Sequence, residues 1–295
     1  MRYIGMAMGM APLTRCRPRI APSPKSCSCC ARSTAPLPSA GNGQEPVWIH
    51  PNRVPDDVTV WENAVLSIDK PQGWTSFDVC AKLRGALAAL LGKRPKQMKV
   101  GHAGTLDPMA TGLLIVCVGK ATKQVDRYVS MRKEYSGVLR LGEGTASYDA
   151  DTEVIFRSDW KQLNDVSLAQ ARDTLVGEVE QLPPMYSAVK VGGKRLYEIA
   201  RAGKEVERKP RKVTVERFDL EPFSENQDLG FYICCSKGTY VRSLAHQLGL
   251  AAGTYAHLVA LRREAIGTHS VRDAWDMTDL IAAVSSRKAL EKQNS

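Results

Sequence analysis

The order of the secondary-structure signals is the feature that most limits the fold of this 295-residue chain. Segments with a strand pattern outnumber those with a helical pattern, and the two kinds do not alternate regularly along the sequence. A doubly wound fold requires regular alternation, because a helix joins each parallel strand to the next. The sequence therefore predicts an α+β fold, with a mixed, mostly antiparallel central sheet flanked by helices.

Individual elements follow from the spacing of apolar residues and from turn signals. A first strand at 64–69 leads into the turn Lys70-Pro71-Gln72-Gly73, and Thr75 or Ser76 then caps a helix that stops at Gly92. The helix presents apolar residues at helical spacing: Phe77, Cys80, Leu83, Leu87 and Leu90. Further strands are predicted at 113–118, 135–141, 185–191, 213–220, 231–236 and 257–266, and further helices at 168–182, 240–250 and 277–284.

The N-terminal region differs in composition from the rest of the chain. Residues 1–44 contain six Lys or Arg, no Asp or Glu, and many Ser, Pro and Ala. This composition is typical of an organelle transit peptide, and it favours plastid import over mitochondrial import. The alternative is a disordered basic tail that contacts RNA. We expect a disordered segment at 1–46, an ordered domain at 47–270 and a short helical tail at 271–295.

The charge balance points to a polyanionic partner. The net charge is +10 and the isoelectric point is about 9.2, and Lys and Arg gain free energy by displacing counterions from phosphates. A solvated basic surface without a partner is the alternative. The chain has no apolar run of roughly eighteen residues, so we expect no membrane span.

The cysteines fall into two groups. Cys27, Cys29 and Cys30 lack a second ligand pair at workable spacing, so we expect no zinc site. The cysteines in apolar runs are predicted to be reduced core residues: Cys80, Cys117, Cys234 and Cys235.

The segment from Gly101 to Gly112 carries three glycines around a single carboxylate, Asp107. Glycines allow a backbone to approach a ligand closely, and Pro108 favours an extended conformation at Asp107. A simple Asp-Pro turn is the alternative interpretation. The segment is therefore a candidate reactive loop.

Five segments, in order along the chain, resemble the motifs of the TruB family of tRNA pseudouridine synthases. They are an opening motif, a loop with an aspartate, a tyrosine strand, a Pro-Met-Tyr segment and an arginine motif: Leu66–Ser76, Gly101–Gly112, Lys133–Tyr135, Pro184–Lys190 and Cys235–Ser243. The resemblance extends from about Val65 to Gly267 and implies the fold of that family, with a catalytic cleft in the domain at 47–270.

The resemblance implies roles for individual residues. Asp107 would be the essential aspartate, which attacks the ribose or withdraws a proton so that the base detaches, rotates and rejoins through C5. Arg242 would pair with this carboxylate, while Tyr135 would stack on the uracil and take the C5 proton. His102 would assist in flipping the uridine out of the RNA, and no cofactor is expected. The remaining contacts with substrate would come from Lys70, Leu261, Gly104 and Thr105.

The implied substrate is uridine 55 in the T-loop of tRNA, bound by a monomer. Four basic clusters are candidates for phosphate contacts: Lys93 to Lys99, Lys190 to Arg195, Arg208 to Lys212, and Arg262 with Arg263. The alternatives are an RNA-folding chaperone without catalysis, a synthase acting mainly on messenger or ribosomal RNA, and a hydrolase that uses Asp107 as a base.

The sequence departs from the family pattern in two places. Ala146 stands where an acid is expected and Thr152 where a glycine is expected, so the partly kept pattern leaves a site contact of Asp149 open. Bacterial relatives often continue into a C-terminal PUA domain, and the 28 residues after Gly267 are too few for one. We therefore expect no complete PUA domain.

Overall fold

The structure is a computed structural model that describes residues 46–187, 189–224 and 226–294. The predicted transit segment, with Cys27, Cys29 and Cys30, lies outside the described residues except for its last position. The division into a domain at 47–270 and a tail at 271–295 stays a prediction.

The described residues form fifteen strands and six α-helices. The strands are β1 Val47–Trp48, β2 Ala64–Lys70, β3 Val100–His102, β4 Thr111–Val118, β5 Lys133–Leu141, β6 Glu143–Thr145, β7 Val154–Arg157, β8 Gly177–Gln181, β9 Lys190–Val191, β10 Lys194–Arg195, β11 Arg211–Leu220, β12 Asp228–Cys235, β13 Ala256–Ile266, β14 His269–Ser270 and β15 Trp275–Asp276. The helices are α1 Ser76–Leu90, α2 Val125–Ser130, α3 Asp165–Asp173, α4 Leu196–Arg201, α5 Val241–Ala251 and α6 Met277–Asn294.

A mixed sheet of eleven strands organises the described part of the chain. Its strand order is β1-β2-β4-β13-β5-β12-β11-β8. The short strands β3, β14 and β15 pair with β4, β13 and β2, respectively. The pairs β1–β2, β4–β13 and β2–β15 are parallel, whereas the other pairs of this sheet are antiparallel. This arrangement confirms the predicted α+β fold.

Side chains alternate between the two faces of the β2–β4 region, as the pleat of a strand requires. Ile68 and Val116 pack on one face with α1 and α6, whereas Val65 and Ile115 pack on the other face with α2. A further core lies where α3 and α5 cover β5, β11, β12 and β13. The sheet is therefore covered by helices and holds the loops that follow its strands in place.

Helix α1 begins as the sequence predicts. Thr75 and Asp78 form a reciprocal capping box, and the helix ends just before Gly92, which has φ 63°. Phe77 does not face the core as its spacing suggested, because 64% of its surface is exposed. It occupies the first turn, on the side of the helix that faces solvent, with the Arg84 guanidinium 6.0 Å from its ring.

Two predicted elements are wrong. Residues 168–182 do not form one helix, because α3 ends at Asp173 and β8 begins at Gly177, where φ is 96°. Pairing with β11 makes 177–181 a strand despite its two glutamates. The strand predicted at 185–191 is limited to Lys190–Val191, which pairs with β10.

Other predictions agree with the described residues. The four cysteines that were expected in the core are free and buried: Cys80, Cys117, Cys234 and Cys235. Helix α6 begins where predicted but is longer, and Leu280 and Val284 pack it against the core around α1.

Every helix in the described ranges is too short or too polar to cross a lipid bilayer.

Candidate active site

A cleft of about 500 Å³ opens beside the loop that carries Asp107. It lies between this loop, β5 and the start of α5. Its lining includes the loop residues Gly104, Thr105, Leu106 and Asp107, the strand residues Lys133, Tyr135, Leu261 and Arg263, and the helix residues Val241 and Arg242.

The aspartate loop, residues 103–110, connects β3 to β4. Its end requires glycine at position 112, because φ is 101° there and a Cβ would collide with the backbone oxygen of Arg263. The turn itself is tight, since the Ala110 N–H donates to the Asp107 carbonyl oxygen at 3.1 Å. Asp107 therefore occupies a defined bend at the edge of the cleft.

The opening motif holds the aspartate loop on both sides of Asp107. The Ser76 hydroxyl donates to the Leu106 carbonyl oxygen at 3.1 Å and accepts from the Leu106 N–H at 2.8 Å. The Gly73 N–H donates to the Pro108 carbonyl oxygen at 2.8 Å. These contacts fix the residues before and after Asp107.

Arg242 is the centre of a buried ion-pair network. Its Nε lies 2.9 Å from Asp107 Oδ2, and its Nη1 lies 3.0 Å from Asp149 Oδ2. Nη1 also donates to the Ser147 carbonyl oxygen at 3.1 Å, and Nη2 donates to the Tyr186 carbonyl oxygen at 3.0 Å. Each guanidinium nitrogen thus has a partner, which sets the direction from which Arg242 meets Asp107.

The two carboxylates of this network differ in exposure. The Asp107 side chain is 35% exposed, whereas those of Asp149 and Arg242 are 2% and 5% exposed. Asp107 is therefore the carboxylate that a ligand in the cleft can reach. Burial raises the pKa of Asp107 above its usual range, the Arg242 guanidinium lowers it, and the nearby Asp149 carboxylate raises it further.

Tyr135 lies on β5 and lines the cleft with 8% of its surface exposed. Burial raises the pKa of its phenol, and the neighbouring Arg263 guanidinium opposes this effect. The ring therefore presents a neutral phenol at the cleft, within the electrostatic influence of Asp107.

Arg263 is almost fully buried and forms part of the cleft wall behind the aspartate loop. Its Nε donates to the Leu113 carbonyl oxygen at 2.7 Å, and its Nη2 donates to that of Gly104 at 3.0 Å. The expectation that Arg263 contacts phosphates is wrong, because 1% of its surface is exposed and its donors hold the loop. Its neighbour Arg262 forms an ion pair with Asp69 at 2.6 Å.

The remaining predicted substrate-binding residues divide into two groups. Leu261, Gly104 and Thr105 line the cleft, whereas Lys70 and His102 do not. Lys70 is fully buried, donates from Nζ to the carbonyl oxygens of Pro71 and Trp74 at 2.9 and 2.6 Å, and has its pKa lowered to about 8 by burial. Lys70 therefore does not line the cleft as expected. Its hydrogen bonds instead stabilise the backbone of the opening motif.

His102 ends β3, directly before the aspartate loop. Its Nδ1 is buried, burial lowers the pKa of the ring, and a hydrogen bond with the Gly104 backbone opposes this effect. The nearby Arg263 guanidinium lowers this pKa further. The ring is therefore held next to the loop rather than in the cleft.

Two further basic clusters also use some of their charges within the protein. Lys93 pairs with Glu62 at 2.6 Å, and Arg208 pairs with Glu205 at 3.0 Å. Arg211, by contrast, lines the cleft. The cluster at 208–212 therefore includes one guanidinium directly available to a ligand in the cleft.

Asp149 is the site residue that sequence reasoning left unassigned. The structure buries it against Arg242, although two neighbouring positions depart from the family pattern. Thr152 compensates for one departure, since its hydroxyl oxygen accepts from the Ser147 N–H at 3.1 Å. The sequence did contain a signal for this turn, because Ser147 and Thr152 lie close to Asp149 and small hydroxyl residues form hydrogen bonds within turns.

Comparison with known proteins agrees with this site. Residues 92–241 match the family described as TruB family pseudouridylate synthase, N-terminal domain. The chain is 43% identical over 217 residues to tRNA pseudouridine synthase B of Flavobacterium johnsoniae, covering 74% of this chain and 94% of the relative. The corresponding enzyme of Chlorobaculum tepidum is 43% identical over 225 residues, covering 76% and 92%.

Solved structures share the fold. A chain of a Cbf5–Nop10–Gar1 complex aligns with a TM-score of 0.56 and 28% identity, covering 79% of this chain and 57% of that chain. A chain of an archaeal box H/ACA Nop10–Cbf5 complex aligns with a TM-score of 0.53 and 22% identity, covering 83% and 64%. The present chain thus spans a little over half the length of these solved chains.

The fold and the cleft define a pseudouridine synthase, an isomerase that acts on RNA. The chain belongs to the TruB family of these enzymes.

Proposed function

We propose that this enzyme converts uridine 55 in the T-loop of tRNA to pseudouridine, with Asp107 as the essential catalytic residue. The observation that carries the proposal is the contact of 2.9 Å between Asp107 and Arg242 at the cleft. It is supported by relatives named tRNA pseudouridine synthase B that are 43% identical to this chain.

Ionised Asp107 acts on the ribose of the flipped nucleotide, either by attacking C1′ or by withdrawing a proton. In both cases the bond from C1′ to N1 breaks, the uracil rotates, and a bond from C1′ to C5 forms. A carboxylate suits either step, because it is a compact nucleophile or base. Arg242 maintains the ionised form and its direction.

Tyr135 supplies the face on which the uracil stacks, and its phenol relays the C5 proton in the last step: the oxygen accepts this proton while the phenol's own proton passes to solvent, which protonates N1. The net reaction removes a proton from C5, adds one at N1 and leaves the composition of the nucleotide unchanged. The neutral state of the buried phenol suits a stacking role, because a neutral ring needs no counter-charge in the cleft.

The T-arm of tRNA is the proposed partner, bound by a monomer. A uridine in a folded T-loop must leave its stack to reach Asp107, at a cost of a few kcal/mol, and phosphate contacts offset this cost. Arg211 at the cleft supports such contacts. His102, half-buried directly before the aspartate loop, assists in flipping the uridine out of the RNA.

The decisive experiment compares Asp107→Asn with the wild-type enzyme on tRNA labelled with tritium at C5 of uridine. We expect tritium release to be abolished while tRNA affinity changes less than threefold. Asp279→Asn, which neutralises an exposed carboxylate at the start of α6, is the matched control. Turnover by Asp107→Asn at the wild-type rate would refute the assignment.

The same measurement separates the alternatives. An RNA chaperone would bind tRNA and release no tritium even as wild-type protein. A synthase acting mainly on messenger or ribosomal RNA would release little tritium from tRNA, and modification mapping in cells that lack the protein would reveal its targets.

We also propose that the chain is imported into an organelle, with plastids favoured over mitochondria. The support is the acid-free, Ser- and Pro-rich composition of residues 1–44. Imaging a fluorescent fusion of the full chain, beside one lacking residues 1–46, tests it. Diffuse signal from both fusions would contradict the proposal.

A further inference from the structure

The turn that carries Asp149 contains an unfavourable backbone conformation. Among the described residues, Tyr148 is the one non-glycine residue with a positive φ, 61°. This left-handed conformation is uncommon for a bulky side chain, because its Cβ crowds the backbone. A strained residue beside a buried carboxylate of the active site calls for a compensating interaction.

The compensating interaction is an aromatic stack on α5. The rings of Tyr148 and His246 lie 4.0 Å apart with an interplanar angle of 11°. Burial lowers the pKa of His246, so the imidazole is neutral and adds no charge near the carboxylates. The stack therefore contributes contact area without altering the charge balance of the network.

His246 and Arg242 lie four residues apart on α5 and face the same side of the helix. Arg242 contacts the turn through Ser147 and Asp149, and His246 contacts it through the intervening Tyr148. Helix α5 thus holds three consecutive residues of the turn from two side chains one helical turn apart.

The conformation of Tyr148 decides where the next side chain points. The Tyr148 carbonyl oxygen accepts from the Leu258 N–H at 3.0 Å, and the Asp149 carbonyl oxygen accepts from the Thr145 hydroxyl at 2.7 Å. With these two anchors in place, a change from positive to negative φ at position 148 would rotate the chain and turn the Asp149 carboxylate away from Arg242.

We propose that Tyr148 and His246 are positioning residues for the catalytic aspartate. Their stack maintains the left-handed turn, the turn holds Asp149 against Arg242, and Arg242 thereby meets Asp107 from a fixed direction. This inference rests on the proposed function of Asp107, and it extends the site to two residues that do not touch the substrate cleft.

Glycine at position 148 separates strain from positioning, because it carries no strain at a positive φ, adopts a negative φ as readily, and has no ring to hold the turn in one conformation. We expect Tyr148→Gly to unfold at the same or a higher temperature than the wild type, yet to form pseudouridine at least tenfold more slowly in single turnover. Tyr148→Phe retains the stack and should stay within about twofold of the wild-type rate. His246→Leu, which keeps bulk but loses the aromatic face, should slow the reaction as Tyr148→Gly does.

A second readout is the dependence of the single-turnover rate on pH. If Arg242 loses its fixed direction, it stabilises ionised Asp107 less, and the acid limb of the profile moves to higher pH in Tyr148→Gly. A residue that only stabilises the fold would change the unfolding temperature and leave this limb in place. Equilibrium affinity for tRNA should remain within threefold of the wild type in each variant.

Phe156→Ala is the matched control, because it removes another aromatic stack, with Tyr255 at 5.0 Å, on the neighbouring hairpin of β6 and β7. It should leave the rate and its pH profile unchanged. Wild-type rate and profile in folded Tyr148→Gly and His246→Leu would overturn the positioning proposal. Activity that survives Asp107→Asn would instead overturn the proposed function itself, so the two failures are distinguishable.

Discussion

The Nε of Arg242 lies 2.9 Å from Oδ2 of Asp107, while the other two nitrogens of the same guanidinium contact Ser147, Asp149 and Tyr186. The direction of Arg242 is therefore set before any substrate binds. A charged partner that is already oriented needs little reorganisation during a reaction, which is the condition under which electrostatic stabilisation is most effective.

This geometry predicts that lysine cannot replace Arg242. An ammonium offers a point charge without the planar fork, so it cannot meet Asp107, Asp149 and the carbonyl oxygens together. We expect Arg242→Lys to lower the single-turnover rate about 100-fold, since small misplacements at a reacting centre have effects of this order. The control is Arg157→Lys, whose side chain is 73% exposed. Wild-type turnover by Arg242→Lys would mean that positive charge alone suffices.

The raised pKa of Asp107 predicts a gain in stability when this charge is removed. Burial makes the folded protein bind this proton more tightly than the unfolded chain does, so ionised Asp107 opposes folding above the unfolded-state pKa. Because the side chain is 35% exposed, solvent screens the effect, and we expect Asp107→Asn to raise the melting temperature by only about 2 °C at neutral pH.

The gain should diminish as the pH falls towards the unfolded-state value of 3.8, since wild-type Asp107 then becomes protonated as well. Scanning calorimetry of both proteins across pH 7.5 to about 3.5 checks this. A difference in melting temperature that grows at lower pH would contradict the sign.

Two glycines, one at the start of β4 and one inside α1, are predicted to have opposite effects on stability. Gly112→Ala combines a positive φ with a collision against the Arg263 backbone, and we expect it to destabilise the protein by about 3 kcal/mol. Gly85→Ala, exposed inside α1 with open space around its Cα, should stabilise it by about 0.5–1 kcal/mol. Denaturant unfolding of both variants measures the difference, and equal effects would contradict the prediction.

Ser76 predicts a link between the opening motif and catalysis. Ser76→Ala leaves the buried N–H and carbonyl oxygen of Leu106 without their partner, at a cost of about 1–3 kcal/mol. Because Leu106 precedes Asp107, we also expect single-turnover rates to fall about tenfold. Ser130→Ala removes an exposed hydroxyl and should change neither quantity. Unchanged turnover in folded Ser76→Ala would show that the loop holds Asp107 unaided.

Sequence reasoning was most successful where the signal was local. Helix α1 followed from the cap signal at Thr75 or Ser76 and from apolar spacing, and the position of the aspartate loop followed from its glycines. It was wrong at 177–181, where pairing with β11 makes a strand of a segment that carries Glu178 and Glu180. It was also wrong at Phe77, because helical spacing alone does not decide which side of the first turn is covered.

The sequence by itself therefore determined local features: the start and end of α1, most of the longer strands, the position of the loop that carries Asp107, and the family resemblance of five motifs. Only the tertiary structure decided that Asp149 pairs with Arg242 across 93 positions of sequence, and that Arg263 is buried behind the loop rather than free for phosphates. The physical reason is that capping, turn and periodicity signals act over a few residues, whereas the partner of a buried charge depends on which distant strands and helices pack together.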